Sequence, residues 1–224
     1  MITAIADVLP IAVVVAICPL AIITVIVLLL SDGGRLRATL FAVGWMLSLF
    51  AITAVAIAIT DVVEEADPEI TVDGVKIFSL ILGILFLVMA VISFRGRPAP
   101  GEPAKEAKIF ARVSGMPGAA VLVLGLAQGV LVVKNVPLSL GAGARIAADG
   151  QSGLAAYVVA AIYVVVASAA ILVPILVTVI GGSRLDPALM SLRKWLEDNI
   201  SPITIVTLVV VAAYFIAKGL LILS

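Results

Sequence analysis

Residues 8–31 read VLPIAVVVAICPLAIITVIVLLLS, 24 residues without a single Asp, Glu, Lys or Arg. A helix crosses the hydrocarbon core of a bilayer in about 20 apolar residues, so this run is long enough to span. Further uncharged runs cover 38–60, 77–94, 113–133, 150–183 and 199–217, with lengths of 23, 18, 21, 34 and 19 residues. Across all 224 residues, 63% are hydrophobic and 12% charged, and the mean hydropathy is +1.32. A soluble domain carries about a quarter charged residues, so a water-soluble globule is excluded. The pattern predicts an all-α integral membrane protein with six transmembrane helices. The fifth run is too long for one straight span and too short for two spans with a turn. It reads as one helix over 154–180, bent at Pro174 and ended by Gly181-Gly182. The first run is expected to be a span rather than a cleaved signal peptide, because it lacks a basic leader, follows Asp7 and is long for such a segment.

Orientation follows from the basic residues. Arg35 and Arg37 lie between spans one and two; Arg95, Arg97, Lys105, Lys108 and Arg112 between three and four; Arg184, Arg193 and Lys194 between five and six. That places 10 of the 14 basic residues on one side, the cytoplasm. Lys76, Arg145 and Lys218 fall on the other, with an acidic loop of Asp61, Glu64, Glu65, Asp67, Glu69 and Asp73. Both termini are therefore expected outside a cytoplasmic membrane.

The segment 95–112, with Pro98, Pro100, Gly101 and Pro103, reads as a polar cytoplasmic linker. It separates a first three-helix repeat at 1–94 from a second at 113–224. An odd number of spans per half inverts the second half relative to the first. An offset of 118 residues brings Pro19 onto Pro137, Leu20 onto Leu138, Leu36 onto Leu154, Ala42 onto Ala160 and Trp45 onto Tyr163. Such inverted repeats are the architecture of many secondary transporters, with the site at midplane where the repeats meet. Between the last two spans, Asp186 and Pro187 resemble the N-cap and first residue of a short helix near 185–198. With Leu185, Leu189, Leu192 and Leu196 on one face, it suits either the membrane surface or an ordinary linker.

Pro19 and Pro137 each sit deep in a hydrophobic segment. Proline removes a backbone donor and clashes with the carbonyl four residues earlier. The freed polar groups survive in a bilayer only beside satisfying neighbours or a cavity. One such proline fits a kinked packing helix, whereas two at repeat-related positions favour broken first and fourth helices. The second is preceded by Val132-Val133-Lys134-Asn135-Val136. A lysine at the membrane centre costs about 3 kcal/mol on insertion scales, and no Asp or Glu lies inside any uncharged run to neutralise it. Carbonyls freed by the breaks, water, deprotonation or an anionic ligand remain, unless Lys134 snorkels to the interface from a straight helix. Gln128 and Asn135, seven apart, would share a helix face with each other, a spacing that lets them line one cavity. The candidate substrate-binding set is thus Lys134, Asn135, Gln128, Pro19, Pro137 and Cys18.

Other features narrow the chemistry. With 14 basic against 14 acidic residues there is no electrostatic case for nucleic acid. The chain has no histidine and one cysteine, which excludes an internal disulfide and any His-based or multi-Cys metal site, and no cofactor is expected. Gly125-Leu126-Ala127-Gln128-Gly129 permits close helix contact. Cys18 and Trp45 read as packing residues.

These residues resemble a family. Ile17-Cys18-Pro19-Leu20, Gly33-Gly34-Arg35 into Gly44-Trp45, and Val133-Lys134-Asn135 are similar to the motifs of the lysine-exporter superfamily. The whole chain is most similar to its actinobacterial branch, the glycopeptidolipid- and sulfolipid-addressing proteins. That likeness rests on Lys134-Asn135, Gly141-Ala142-Gly143 and Leu192-Arg193-Lys194-Trp195-Leu196 before a last span closing with Lys218-Gly219-Leu220. The resemblance implies a six-helix protein that is not an enzyme and helps move envelope glycolipids outward or exports a small metabolite. The unpaired Lys134 beside a helix break makes an anionic or zwitterionic substrate the expectation. The alternative is a non-transporting scaffold subunit of a larger lipid-export complex. Expected partners are membrane lipids, that substrate, and a second copy or an export complex. The related disulfide-reducing carriers use a cysteine in each half; Val136 stands at the second position here, so a thiol relay cannot operate.

Overall fold

The computed structural model describes residues 1–66, 68–96, 113, 115–151 and 153–221, with the backbone alone at 62–76, 183, 218 and 221. Every element among them is helical: α1 (Ile2–Ala16), α2 (Pro19–Leu29), α3 (Gly34–Ala66), α4 (Pro68–Arg95), α5 (Gly118–Leu131), α6 (Asn135–Ala148), α7 (Gly153–Ala167), α8 (Ala169–Gly181), a 3-10 turn Gly182–Leu185, and α9 (Asp186–Leu221). Helices α3, α4 and α9 are each long and apolar enough to cross a membrane. The pairs α1–α2, α5–α6 and α7–α8 reach that length only together, bent by 61°, 73° and 66°. The described residues thus hold three to six candidate spans. The linker at 95–112, apart from Arg95 and Gly96, lies outside the described residues.

Each bend lies N-terminal to a proline, where the missing N–H and the ring's clash with the carbonyl four residues back weaken the helix. Pro19 opens α2 directly after the first bend, and Pro137 stands in the first turn of α6 after the second. The third bend corrects the expectation of a kink at Pro174. Pro174 is carried inside α8, and the chain yields at Ser168, just before Ala170, whose carbonyl the ring would strike. Gly182, at φ +57°, ends α8 as read from the sequence. Proline permits a bend without enforcing one, since Pro10 and Pro202 lie within unbroken α1 and α9.

Two further expectations are corrected. The short surface helix near 185–198 is the first part of α9, which continues through Pro202 as one 36-residue helix. Its polar stretch is held in register by i,i+4 ion pairs, Arg193–Glu197 at 2.7 Å and Lys194–Asp198 at 3.3 Å. The acidic segment 61–73 is helical on both sides of residue 67, because α3 and α4 extend past their apolar runs. Charge marks where a helix leaves an apolar environment; it does not end the helix.

Helices α3 and α6 form the hub. The long α3 packs on α5, α6, α2 and α7, and α6 also touches α1, α4 and α7. Glycine permits the closest approaches: a Cβ on Gly44 would strike Leu122 O, one on Gly125 would strike Phe41 O, and one on Gly129 would strike Ser48 Oγ. The Gly125–Gly129 pair is therefore an internal α5–α3 contact. Around it Phe41 and Trp45 stack with centroids 6.3 Å apart, and Trp45 and Tyr163 are both fully buried. The turn α2–α3, where Gly33 adopts φ +67°, meets the turn α8–α9 at one end of the bundle, which gathers Arg35, Arg193 and Lys194 around crevices of about 570 and 450 Å³. Overpacking a close helix contact costs about 1–3 kcal/mol. Gly129→Val should therefore lower the thermal midpoint in detergent by several degrees, while Val123→Ala on the exposed face of α5 should leave it unchanged.

Candidate functional site

The geometry of the first break follows from Pro19. The residue before a proline is pushed out of the helical region, and Cys18 adopts φ −127°, ψ 90°. Its N–H turns back to Ala16 O at 2.8 Å instead of reaching Val14 O. Pro19 has no N–H to offer Val15 O. The last turn of α1 therefore ends with carbonyls that have lost their helical donors, at the negative end of the helix dipole.

Lys134 fills that vacancy. It stands between α5 and α6 as the N-cap of α6, and its side chain crosses to the first break. Its Nζ donates to Val14 O, to Ile17 O at 2.6 Å and to Val15 O at 3.4 Å. An ammonium has three donors, and here three carbonyls accept them. Lys134 is buried, as is Cys18 beside it, so the side chain does not snorkel. Of the alternatives open from the sequence, the freed carbonyls are the partners in this structure.

The second break repeats the logic within one segment. Pro137 would clash with Val133 O in a continuous helix, and α5 stops at Leu131. Gly129 O, left without its helical donor, accepts Asn135 Nδ2 at 3.2 Å. Gln128 Nε2 donates across to Thr24 Oγ1 on α2 at 3.1 Å, and Thr24 in turn donates to Leu20 O at 2.8 Å. Each break is thus tied to the other segment: α6 to the end of α1 through Lys134, and α5 to α2 through Gln128. Gln128 and Asn135 do not share a helix face, because the break at 132–134 falls between them. Their carbonyl oxygens, Gln128 Oε1 and Asn135 Oδ1, are buried without a hydrogen-bond partner among the described residues.

The structure brings all six candidates, Lys134, Asn135, Gln128, Pro19, Pro137 and Cys18, to the two breaks. The prolines act through the backbone they interrupt, and Cys18 is a buried free thiol. Sequence reasoning missed three participants. Thr24 receives Gln128; Ser139 on α6 shares a hydrogen bond of 3.2 Å with Tyr163 on α7. Arg145, read only as a marker of sidedness, is buried within α6. Its signal was the run of small residues around it, Gly141, Ala142, Gly143, Ala144, Ala147 and Ala148, which admits close neighbours on every side.

A buried acceptor left without its donor costs about 1–3 kcal/mol. Lys134→Met strands the carbonyls of Val14, Val15 and Ile17 and should destabilise the protein by at least that amount in a detergent unfolding titration. Lys134→Arg, which keeps the donors, should recover most of the loss.

No curated protein and no solved structure matches the chain. The family described as "Sap, sulfolipid-1-addressing protein" matches it over residues 8–221. With nearly the whole sequence covered, and with the lysine and the interrupted helices inside the matched region, the chain belongs to the sulfolipid-1-addressing protein family.

Proposed function

We propose that this protein carries an anionic or zwitterionic envelope lipid, with a glycolipid favoured over a small metabolite, outward across the cytoplasmic membrane. It does so as a non-enzymatic transporter with six spans in two inverted halves, both termini outside. On this reading the arginine-rich turns, α2–α3 with Arg35 and Arg37 and α8–α9 with Arg184 and, in the first turns of α9, Arg193 and Lys194, face the cytoplasm, as the positive-inside rule requires. Membership in a family concerned with sulfolipid addressing supports a role in envelope lipid handling. Likeness to the lysine exporters supports the transport step.

The observation that carries the reading is the contact of Lys134 with the carbonyls released by Pro19. It joins the interrupted parts of the two halves at one point, where transporters of inverted-repeat design place their sites. An ammonium held by neutral carbonyls is a latch that a substrate anion can open, because charge-assisted hydrogen bonds to an anion are the stronger ones. Beside it, Gln128 Oε1 and Asn135 Oδ1 are buried acceptors suited to hydroxyl donors such as those of a sugar headgroup. The halves are not copies throughout: the α7–α8 bend has no counterpart in straight α3.

The test is export by the producing cell, with outer-envelope lipid measured against total lipid and normalised to folded protein in the membrane. Lys134→Met should abolish outward transfer, and Lys134→Arg should retain part of it. Full export by Lys134→Met removes the assigned role of Lys134. Purified protein in liposomes should move an anionic glycolipid by itself. Failure there, with stoichiometric co-purification of a large transporter, assigns the scaffold role in an export complex instead.

A further inference from the structure

Helix α6 carries the buried cation Arg145 and has another, Lys134, at its N-cap, and the two are compensated very differently. Lys134 has three donors and three carbonyl acceptors. Arg145 lies 11 residues on, about 16 Å along the helix at 1.5 Å per residue, and is equally buried, at 8% exposure. Its guanidinium carries five N–H donors. One reaches Ser79 Oγ on α4 at 3.4 Å, a long bond to a neutral hydroxyl that also interacts elsewhere. No carboxylate pairs with Arg145 among the described residues.

The surroundings orient the group, and the Asp7 charge acts on the neighbouring Tyr214. The guanidinium carbon lies 5.7 Å from the Tyr214 ring centroid and 5.8 Å from that of Phe215, both on α9. Aromatic faces attract a cation and fix its plane; they supply no acceptor for its in-plane N–H groups. The walls are held close by glycine: a Cβ on Gly83 of α4 would lie 2.6 Å from Ile216 Cγ1 on α9, and Gly141 of α6 faces the Phe215 ring at 3.5 Å. Phe215 is fully buried, whereas Tyr214 is half-buried and hydrogen-bonds Asp7 O at 3.5 Å. Tyr214 therefore forms the open side of the site.

A buried charge is tolerated where it is paired, and a guanidinium with unused in-plane donors matches a phosphate, sulfate or carboxylate in bidentate fashion. We propose that Arg145, with Ser79 and the Tyr214–Phe215 rings, forms a second binding site that takes an oxyanion, borne by a lipid headgroup or free in solution. It lies towards the end of the bundle opposite the arginine-rich turns. In the export reading, on which its biological use rests, it holds the headgroup anion on the outward side. Its binding is measured on purified protein and export in cells, so either can fail alone.

Native mass spectrometry of the full chain in detergent tests it, with phosphatidylglycerol as anionic probe and phosphatidylcholine as neutral control. The wild type should retain phosphatidylglycerol preferentially, and Arg145→Gln should weaken that binding roughly tenfold or more, the loss of a charged hydrogen-bonding partner. Ser79→Asp places a carboxylate against the guanidinium and should likewise block the probe, with its folding checked by thermal midpoint. Displacement of the lipid by millimolar sodium sulfate identifies a site open to free oxyanions, and resistance to sulfate identifies a lipid-headgroup site. Equal phosphatidylglycerol occupancy in wild type, Arg145→Gln and Ser79→Asp overturns the proposal.

Discussion

The contact between Lys134 and the end of α1 is the constraint on which the rest of the structure depends. Taken separately, both of its halves are unfavourable. A proline at position 19 strands carbonyls in an apolar interior, and a lysine at 134 is a charge with no acid to meet it. Brought together, each removes the other's penalty, since the three donors of Lys134 match the carbonyls of Val14, Val15 and Ile17. The match works only if the first and fourth segments cross where both are interrupted. The requirement therefore fixes their relative depth and rotation more firmly than side-chain packing between two smooth apolar helices would.

The same requirement explains why α6 is central and why its neighbours are small-residue helices. To bring Lys134 to α1, α6 must lie deep in the bundle, in contact with α1, α3, α4 and α7. Large side chains would hold these helices apart. The sequence around the break instead supplies Gly125 and Gly129 before it and Gly141 and Gly143 after it. The approach is close enough that a methyl group on Gly143 would meet Thr53 O of α3. Apolar bulk is moved to the outer faces, where Val123, Leu131, Val133 and Ile180 are exposed. In lipid those faces need no partner, because the tails are as apolar as the side chains.

Much of this was legible in sequence, for identifiable reasons. Uncharged runs gave the helices because an unpaired charge in hydrocarbon is expensive. Pro19 and Pro137 gave the first two breaks because a missing N–H is a local property. The partners across the breaks were not legible: Lys134 and Val14 are 120 residues apart, and nothing near either one names the other. The seven-residue spacing of Gln128 and Asn135 misled because it presumes a continuous helix, and the break at 132–134 rotates one away from the other. Charge misled at 61–73 and 186–198, where helices leave the apolar region without ending. Arg145 was passed over because a basic residue near a segment end reads as a topology marker. Its burial depends on Tyr214 and Phe215, which lie far along the chain.

What distinguishes the two buried cations of α6 is the source of the acceptors. For Lys134 the protein provides them by breaking its own backbone, so the charge belongs to the fold. For Arg145 the neighbouring helices provide ring faces and one distant hydroxyl, which orient a guanidinium but leave most of its donors unused. A cation that the fold satisfies internally can serve as a latch, and one that the fold only positions is left to find its counter-charge in whatever enters the site. In the proposed reading, Lys134 at the N-cap of α6 and Arg145, about three turns on, tie the join between the two broken segments to the oxyanion site through a single helix.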